Sequence, residues 1–452
     1  MKIYNTLSKQ VEDFVPIKPP HVGFYACGPT VYDFQHIGNL RTATLMDVTK
    51  RILKALGYDV KVVMNITDVD DKIENKAKKE NLKVDDVTSK FEKIYMGHLA
   101  QMNISADVYP HASDLIKEQI EIIEVLLEKG FAYKNEFGIY FDISKDKNYG
   151  KLGNTFKSSK EKSRIGITEG KRNQEDFALW KFPLEGEDRQ KLWDSPWGKG
   201  FPGWHIECSA MSMKYLSNAF DGGKFTPENY QTIDIHIGGE DLKETHHENE
   251  LAQTECATGK KFVKYWLHGA MLNIGEEKMS KSLGNFLTLE EVLNRNIEPL
   301  ALRYLYYTTH YKKQLNFTWE SLESAQTALT KLRQLVQSFE SGDKSNKGEE
   351  YKDQFNAAIG NDLNMPEALA VVWSMLKSDL PNSDKYNLAM SFDKVLGLDL
   401  GKSVSKEIPE EIKKLIVKRE ELRTTGNYEE ADKIRDEIIE KGYTVKDESS
   451  PQ

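Results

Sequence analysis

Three cysteines in 452 residues, Cys27, Cys208 and Cys256, are too few for a disulfide framework. So small a set points instead to metal ligation, nucleophilic chemistry or plain core packing. There is no run of about 18 apolar residues, so no membrane-spanning helix and no membrane partner are expected. The N-terminus, Met-Lys-Ile-Tyr-Asn-Thr, lacks the apolar stretch of a signal peptide, and the expected location is the cytoplasm. Basic charge is also short. Against 71 Asp+Glu there are 62 Lys+Arg, a net charge of −9, so a nucleic-acid partner would need local basic patches. Internal repeats and extended low-complexity tracts are missing as well.

What remains is a chain long enough for two or three domains, organised around residues 24–42. The apolar run Val22–Ala26 reads as a buried strand that breaks at Gly28-Pro29, and a helical pattern opens near Gly38 and runs to about Leu56. Strand, Gly/Pro turn and helix N-terminus form a geometry in which free N–H groups and the helix dipole face an anion. Cys27 stands at the strand end and His36 just before the helix. A second strand, Asp59–Ile66, exits through Thr67 and Asp68 into a helix with Asp carboxylates in its first turn. This is a right-handed βαβ unit of a parallel sheet, whose ligands gather at the carboxyl ends of strands.

Residues 84–129 read as helices. Gly138–Ile143 reads as a strand, residues 144–174 as a Lys/Ser/Gly-rich loop, and roughly 95–200 as an insertion into the sheet. The sheet resumes with a helix over 204–213 carrying Cys208, a strand over 231–237 that exits through Gly238-Gly239-Glu-Asp241, a helix carrying His246 and Glu250, and a strand candidate over 263–272. A Gly/Lys/Ser-rich loop follows at 275–286. From about Asn316 nothing reads as strand, and helices are expected near 318–338, 351–362, 366–378 and 384–396, with two more between 408 and 442. The predicted fold is α/β: a Rossmann-like parallel-sheet domain over 1–312, an all-α bundle over 313–405 and a helical tail over 406–452.

His246 and Glu250, four apart on a helix, share one face. With Cys27 and Cys208 they could form a tetrahedral zinc site, but the spacing alone suits a surface helix pair as well. His36 could hydrogen-bond a phosphate, and Gly38 could let a flat ring lie against the backbone; a polar capping cluster is the alternative. Lys278 and Lys281 put two point charges in a loop, where they could close on a polyphosphate or simply be solvated.

Together these segments resemble the cysteinyl-tRNA synthetase family of class I aminoacyl-tRNA synthetases over nearly the whole chain. The resemblance is carried by Phe24-Tyr-Ala-Cys-Gly-Pro-Thr-Val-Tyr-Asp33, by His36-Ile-Gly-Asn39 as a form of the class I HIGH motif, and by Asn65-Ile-Thr-Asp-Val-Asp-Asp-Lys72. Further on come Asp176-Phe-Ala-Leu-Trp-Lys181, Pro202-Gly-Trp-His-Ile-Glu-Cys-Ser-Ala-Met211, Asp241-Leu followed by His246-His-Glu-Asn-Glu250, Lys278-Met-Ser-Lys-Ser282, and Ala431-Asp-Lys-Ile-Arg-Asp-Glu437.

The resemblance implies one Zn²⁺ per chain held by Cys27, Cys208, His246 and Glu250 and bound by the substrate thiolate. It implies an amino-acid pocket lined by Thr67, Trp204 and Asp241, with Asp241 on the ammonium group. His36, Gly38, Asn39 and Lys281 would bind Mg²⁺·ATP, with His36, Asn39, Lys278 and Lys281 serving catalysis. The implied reaction activates L-cysteine to cysteinyl-adenylate and transfers it to the 3′ end of tRNA(Cys), the helical region holding the anticodon stem and loop and the chain acting as a monomer. Shape alone separates cysteine from serine only about 10–200-fold. A thiol, with pKa about 8.5, deprotonates on a metal far more readily than a hydroxyl, so zinc would act as the selector. Two other readings stay open: a ligase joining cysteine to a small amine, and a non-enzymatic zinc-containing RNA-binding protein. Three departures from the family pattern stand out. Phe201 occupies an expected arginine position, Ile237 an expected glycine, and Glu244-Thr245 replaces Phe-Pro before His246.

Overall fold

The computed structural model describes residues 1–153, 170–275, 277–278, 286–339, 341–342, 347–403 and 410–440. The expected loop over 144–174 therefore lies partly, and Lys281 wholly, outside the described residues. Two compact units are formed, Met1–Gly401 and Lys402–Gln452.

The first unit is built on four parallel strands: β1 (His21–Ala26), followed by helix α1 (Ile37–Ala55); β2 (Asp59–Met64); helix α2 (Trp204–Leu216), then β3 (Ile233–Gly239); and helix α3 (His246–Thr258), then β4 (Val263–Gly269). Their order across the sheet is β4-β3-β1-β2. Strands covered on both faces read as continuous apolar runs, and in β3 every residue from Ile233 to Gly238 is buried. The chain leaves β1 on one side to form β2 and returns on the other to form β3. The crevice between the carboxyl ends of β1 and β3 is thus the topological switch point, where open α/β sheets take ligands.

The insertion starts later than the expected residue 95. Helix Val84–Gln101 precedes a segment bonded along β2: Met64 N–H donates to the Val108 carbonyl at 3.0 Å and Ile66 N–H to that of Pro110 at 2.8 Å. Isolated bridges pair Val63 with Val108 and Ile66 with His111, both in parallel. Beyond it comes an antiparallel sheet of Ala132–Asn135, Gly138–Phe141, Phe177–Lys181 and Phe201–Pro202. Only the second of these was expected as a strand; it is the one buried at every position, whereas Ala132–Asn135 and Phe177–Lys181 mix polar residues into a short run and Phe201–Pro202 is two residues long. Phe141, Phe177 and Trp180 of this sheet share an apolar cluster with Ile206 of α2 and Leu251 of α3, so the insertion packs onto the two helices that border the switch point.

The expected helical region appears as Trp319–Gln337, Glu349–Ile359, Met365–Lys377 and Asn382–Leu396. One strand was missed there: Leu315–Phe317 pairs in parallel with Leu272–Ile274. These helices are not set apart from the sheet as the expected boundary at 312 implied. One apolar cluster runs from Ile3 through the sheet and α1 to Leu400. At its centre Arg303, on helix α4 (Pro299–Tyr307), meets Asp47 of α1 at 2.5 Å, with both side chains essentially inaccessible. Arg303 also donates to the carbonyls of Met102, Asn103 and Leu396. The second unit pairs helices Glu410–Thr424 and Tyr428–Glu440 over Ile412, Ile434 and Ile438.

Removing one partner of a buried pair leaves the other charge uncompensated, at a cost of about 3–5 kcal/mol. Asp47→Ala is therefore expected to lower the denaturation midpoint of the first unit well beyond what an exposed Asp→Ala does. An unchanged midpoint in urea or heat would show that the pair does not join the helices to the sheet.

Candidate active site

Cys27 follows β1 directly, and Cys208 projects from the second turn of α2. His246 opens α3, and Glu250 lies one turn further on the same face. Cys208, His246 and Glu250 are buried and Cys27 is half-buried; one donor atom from each of the four lies within 4.8 Å of the others. His246 Nε2 stands 3.3 Å from Cys208 Sγ and 3.0 Å from Glu250 Oε1, and Cys27 Sγ 3.8 Å from the same carboxylate oxygen. Two thiols, an imidazole and a carboxylate are the donor chemistry that suits Zn²⁺, and their chemical set fits the metal expected from the sequence.

Their protonation follows from burial and from one another. Burial would raise Glu250, but His236 and His246 hold it down at about 2. Burial would lower His246, yet the Glu250 carboxylate and Cys208 bring it up to about 10. Cys208, against its burial, is drawn down to about 6 by the Cys27 hydrogen bond and by His246. Burial and the neighbouring Cys208 push Cys27 up. Glu250 and Cys208 thus favour their anions, His246 its cation and Cys27 its thiol. Cys256, further along α3, belongs to no donor group among the described residues, and burial pushes it to about 12.

A shell of imidazoles that the sequence reading did not single out surrounds these four. His236 of β3 approaches the second oxygen of Glu250 at 3.1 Å, and His247 Nε2 lies 3.3 Å from Cys27 Sγ. Cys27, His236, His247 and Glu250 form a second, overlapping donor group. Behind them His205 contacts His246, Nδ1 to Nδ1, at 3.0 Å, and His268 contacts His247 at 2.8 Å. The available signal was the distribution of histidine: five of the ten fall between residues 205 and 268.

Of the expected substrate residues, Trp204 touches this cluster directly, through His246. Thr67 is buried; its hydroxyl accepts from Asn65 Nδ2 at 3.0 Å, and its backbone pairs with the turn after Cys27 through Pro29 and Val31. That turn must be glycine at position 28, since a Cβ there would sit 1.8 Å from the Asn65 carbonyl oxygen. Trp204 opens α2, is 40% exposed, and lays its ring 4.0 Å from that of His246, centroid to centroid. Asp241 is exposed in the short turn after β3. Phe201 is covered by cations: the Arg189 guanidinium lies 3.4 Å over its ring, and Arg189 and Lys181 both pair with Asp71 at 2.6 Å.

His36 and Asn39 cap α1 reciprocally. Asn39 N–H donates to His36 Nδ1 at 3.1 Å and His36 N–H to Asn39 Oδ1 at 3.3 Å, and the first turn contains no acid. A Cβ on Gly38 would come within 2.9 Å of the His36 ring, so glycine is what lets the imidazole fold over the helix start. The N-terminus of this 19-residue helix can receive an anion. Lys278 is placed by its backbone, opposite Asn273 in a short antiparallel pair.

Three imidazoles are held uncharged, His247 and His268 buried and His205 half-buried. Burial, reinforced by a neighbouring imidazole, lowers His205 (beside His246) and His247 (beside His236), and takes His268, also beside His236, to about 3. A folded-state pKa below the unfolded one contributes stability above about 6.5 that is lost as pH falls. His246, already protonated, does not change in that window. Near pH 5.5 each of these three rings of the metal-free protein is therefore expected to take up about one proton on unfolding, against which Glu207, held protonated by burial, releases about one. Denaturation midpoints measured from pH 8 to pH 4.5 should fall steeply below 6.5; a flat profile would show that these rings are charged in the fold.

Residues 13–327 match the family described as tRNA synthetases class I (C) catalytic domain, and residues 405–452 that described as the cysteinyl-tRNA ligase anticodon binding domain. The chain is 40% identical over 461 residues to cysteine--tRNA ligase 1 of Burkholderia lata, covering 99% of this chain and 95% of the relative. It is 41% identical over 471 residues to the cysteine--tRNA ligase of Caldicellulosiruptor saccharolyticus, covering 99% and 98%. Among solved structures, Mycobacterium tuberculosis methionyl-tRNA synthetase in complex with methionyl-adenylate superposes with a TM-score of 0.58 at 13% identity, over 84% of this chain and 90% of that one. The LeuRS in the Agrobacterium radiobacter K84 agnB2 LeuRS-tRNA-LeuAMS ternary complex gives 0.58 at 11%, over 85% and 84%, and both likenesses speak for the fold. With the catalytic-domain family matched over most of its length and two relatives matched from end to end, this chain belongs to the cysteine–tRNA ligases, enzymes of the class I synthetase fold.

Proposed function

We propose that the chain joins L-cysteine to tRNA(Cys) in two steps at the crevice between β1 and β3, with one Zn²⁺ held by Cys27, Cys208, His246 and Glu250 and Mg²⁺ entering with ATP. The observation that carries the metal reading is the convergence of those four buried or half-buried donors within 4.8 Å. Of the two overlapping groups this one offers both sulfurs, and Cys208 already favours the thiolate. His236 and His247 then act from behind it, His236 on the second oxygen of Glu250. The bound metal supplies a soft Lewis acid for a substrate thiolate, which a serine hydroxyl matches poorly.

The remaining chemistry belongs to side chains. Trp204 and Thr67 shape the pocket, and Asp241 takes the substrate ammonium. His36, Gly38 and Asn39 present the start of α1 to the phosphates, with Lys278 and Lys281 supplying charge as pyrophosphate leaves. Nucleophilic attack of the carboxylate on the α-phosphate needs in-line placement and charge stabilisation, with no covalent help from the protein. tRNA, not a small amine, is the acceptor; the match of 405–452 to an anticodon-binding domain supports this. Anticodon contacts fall in our reading to that second unit, and the helices over 313–405, which share the core of the sheet, brace the catalytic fold. The expectations of a cytoplasmic monomer stand as part of the proposal.

Cysteine-dependent ATP–pyrophosphate exchange tests the first step. Cys208→Ser is expected to lose zinc and to cut exchange by about 10²-fold with the fold retained, since loss even of a group that only supports a ligand costs about 10–100-fold in metal affinity or activity. Cys256→Ser should be nearly silent. Bound zinc at wild-type stoichiometry in folded Cys208→Ser would refute the ligand set.

The second unit allows a separate test. A chain ending at Gly401 keeps the sheet, its helices and the shared core, so exchange should persist while charging of tRNA(Cys) falls sharply. Normal charging by that fragment would place anticodon recognition elsewhere.

A further inference from the structure

Arg41 sits on α1 two residues beyond Asn39 and is only 7% exposed. A buried guanidinium ordinarily meets a carboxylate. Here it is spent on backbone: Nη1 donates to the carbonyls of Ala270 at 2.7 Å and Met271 at 2.9 Å, and Nη2 to that of Lys313 at 2.7 Å. The other groups of the same dipeptide are also held. Met271 N–H donates to Glu240 Oε1 at 2.8 Å, and Ala270 N–H to the Tyr311 carbonyl at 2.8 Å. Met271 O also accepts from Leu315 N–H at 3.2 Å. Beside Arg41, the Tyr306 hydroxyl donates to the Ile37 carbonyl at 2.6 Å, fixing the first helical turn.

These contacts join two parts of the site that the sequence separates by more than 230 residues. Ala270-Met271 is the root of strand Leu272–Ile274, and Asn273 of that strand faces Lys278. The other end of the connection is the turn of α1 bearing His36, Gly38 and Asn39. A lysine at 41 has one ammonium on a flexible stem and cannot span three carbonyls; a planar fork of fixed donors can.

We propose that Arg41, assisted by Glu240, is a positioning residue for adenylate formation, setting the distance between the start of α1 and the strand whose partner carries Lys278. The inference rests on the phosphate-site reading above. In-line phosphoryl chemistry tolerates little misplacement, an error of about 1 Å costing on the order of 10²-fold. Arg41 touches no substrate in this scheme, so its loss acts on ATP turnover and leaves the metal-centred recognition of cysteine intact.

The test uses full-length, zinc-loaded protein and pyrophosphate exchange with ATP and cysteine varied separately. Arg41→Met and Arg41→Lys are each expected to lower kcat/KM for ATP by about 10²-fold and to leave the KM for cysteine within about threefold. Millimolar methylguanidinium should return at least tenfold of the loss in Arg41→Met. Should that variant fail to fold, Arg41→Lys, which keeps the buried charge, decides the matter by the same split. Values for ATP within threefold of wild type overturn the proposal, as does a KM for cysteine that rises as far as kcat/KM for ATP falls, the mark of a merely structural staple. His36→Ala is run beside them. If it is slowed and the Arg41 variants are not, only the coupling falls; if His36→Ala is also unaffected, the phosphate-site reading falls with it.

Discussion

A single buried carboxylate sets the terms for the centre of this molecule. Glu250 is wholly inaccessible, and an ion taken so far from water must be met by opposite charge and hydrogen bonds or give up its charge. Its two oxygens are met separately, one by His246 on its own helix and the other by His236 on the neighbouring strand. Each partner is in turn engaged: His246 with Cys208 and His205, and His236 ring to ring with Trp266 at 4.6 Å. To satisfy one anion the fold must bring together α2, α3 and β3, and the thiol that follows β1 completes the set.

The sheet makes this meeting possible. Strand β1 is the hinge of the topology, with β2 on one side and β3 on the other, so residues that follow β1 stand beside the ends of both. The chain uses that place twice within ten residues: Cys27 faces the metal donors, and His36 begins the helix that would take phosphate. Between them Gly28 is pressed onto the Asn65 carbonyl, and Thr67 pairs with the turn. A change in the turn would therefore disturb the amino-acid end and the nucleotide end together. The two are separate in chemistry but share one stretch of backbone.

Much of this was legible in the sequence, and what escaped it has definite causes. The strands of the central sheet and the long α1 announce themselves because each buries enough apolar residues at one period to be read. The four residues proposed to hold zinc are separated by up to 223 positions (250 − 27), and no periodicity links them. Family resemblance named them, and the fold then brought them to one point. His236, His247 and Arg41 were not named, since a buried polar residue in an apolar run looks the same in sequence whether it is a ligand, an orienting group or a satisfied core residue. The extent of the shared core escaped for a related reason. Helical pattern shows that helices exist, but not that Arg303 will reach from α4 to Asp47 and weld the bundle to the sheet.

The buried ionic groups fall into two kinds that do different work. Asp47, Arg303 and Arg51 are fully paired, with fixed charges and carbonyls as the remaining partners. Such a network can hold helices in register, and it has no capacity left for a ligand. Around Glu250 the groups can still exchange protons: His246 is held as its cation by Glu250 and Cys208, and burial keeps the proton on Cys27. A divalent metal would displace both protons and meet the carboxylate and the two thiolates directly. The low-dielectric enclosure around those donors would strengthen their grip on zinc. Proton exchange at fixed donors, and not a closed ion pair, is thus what the arrangement around Glu250 offers a metal.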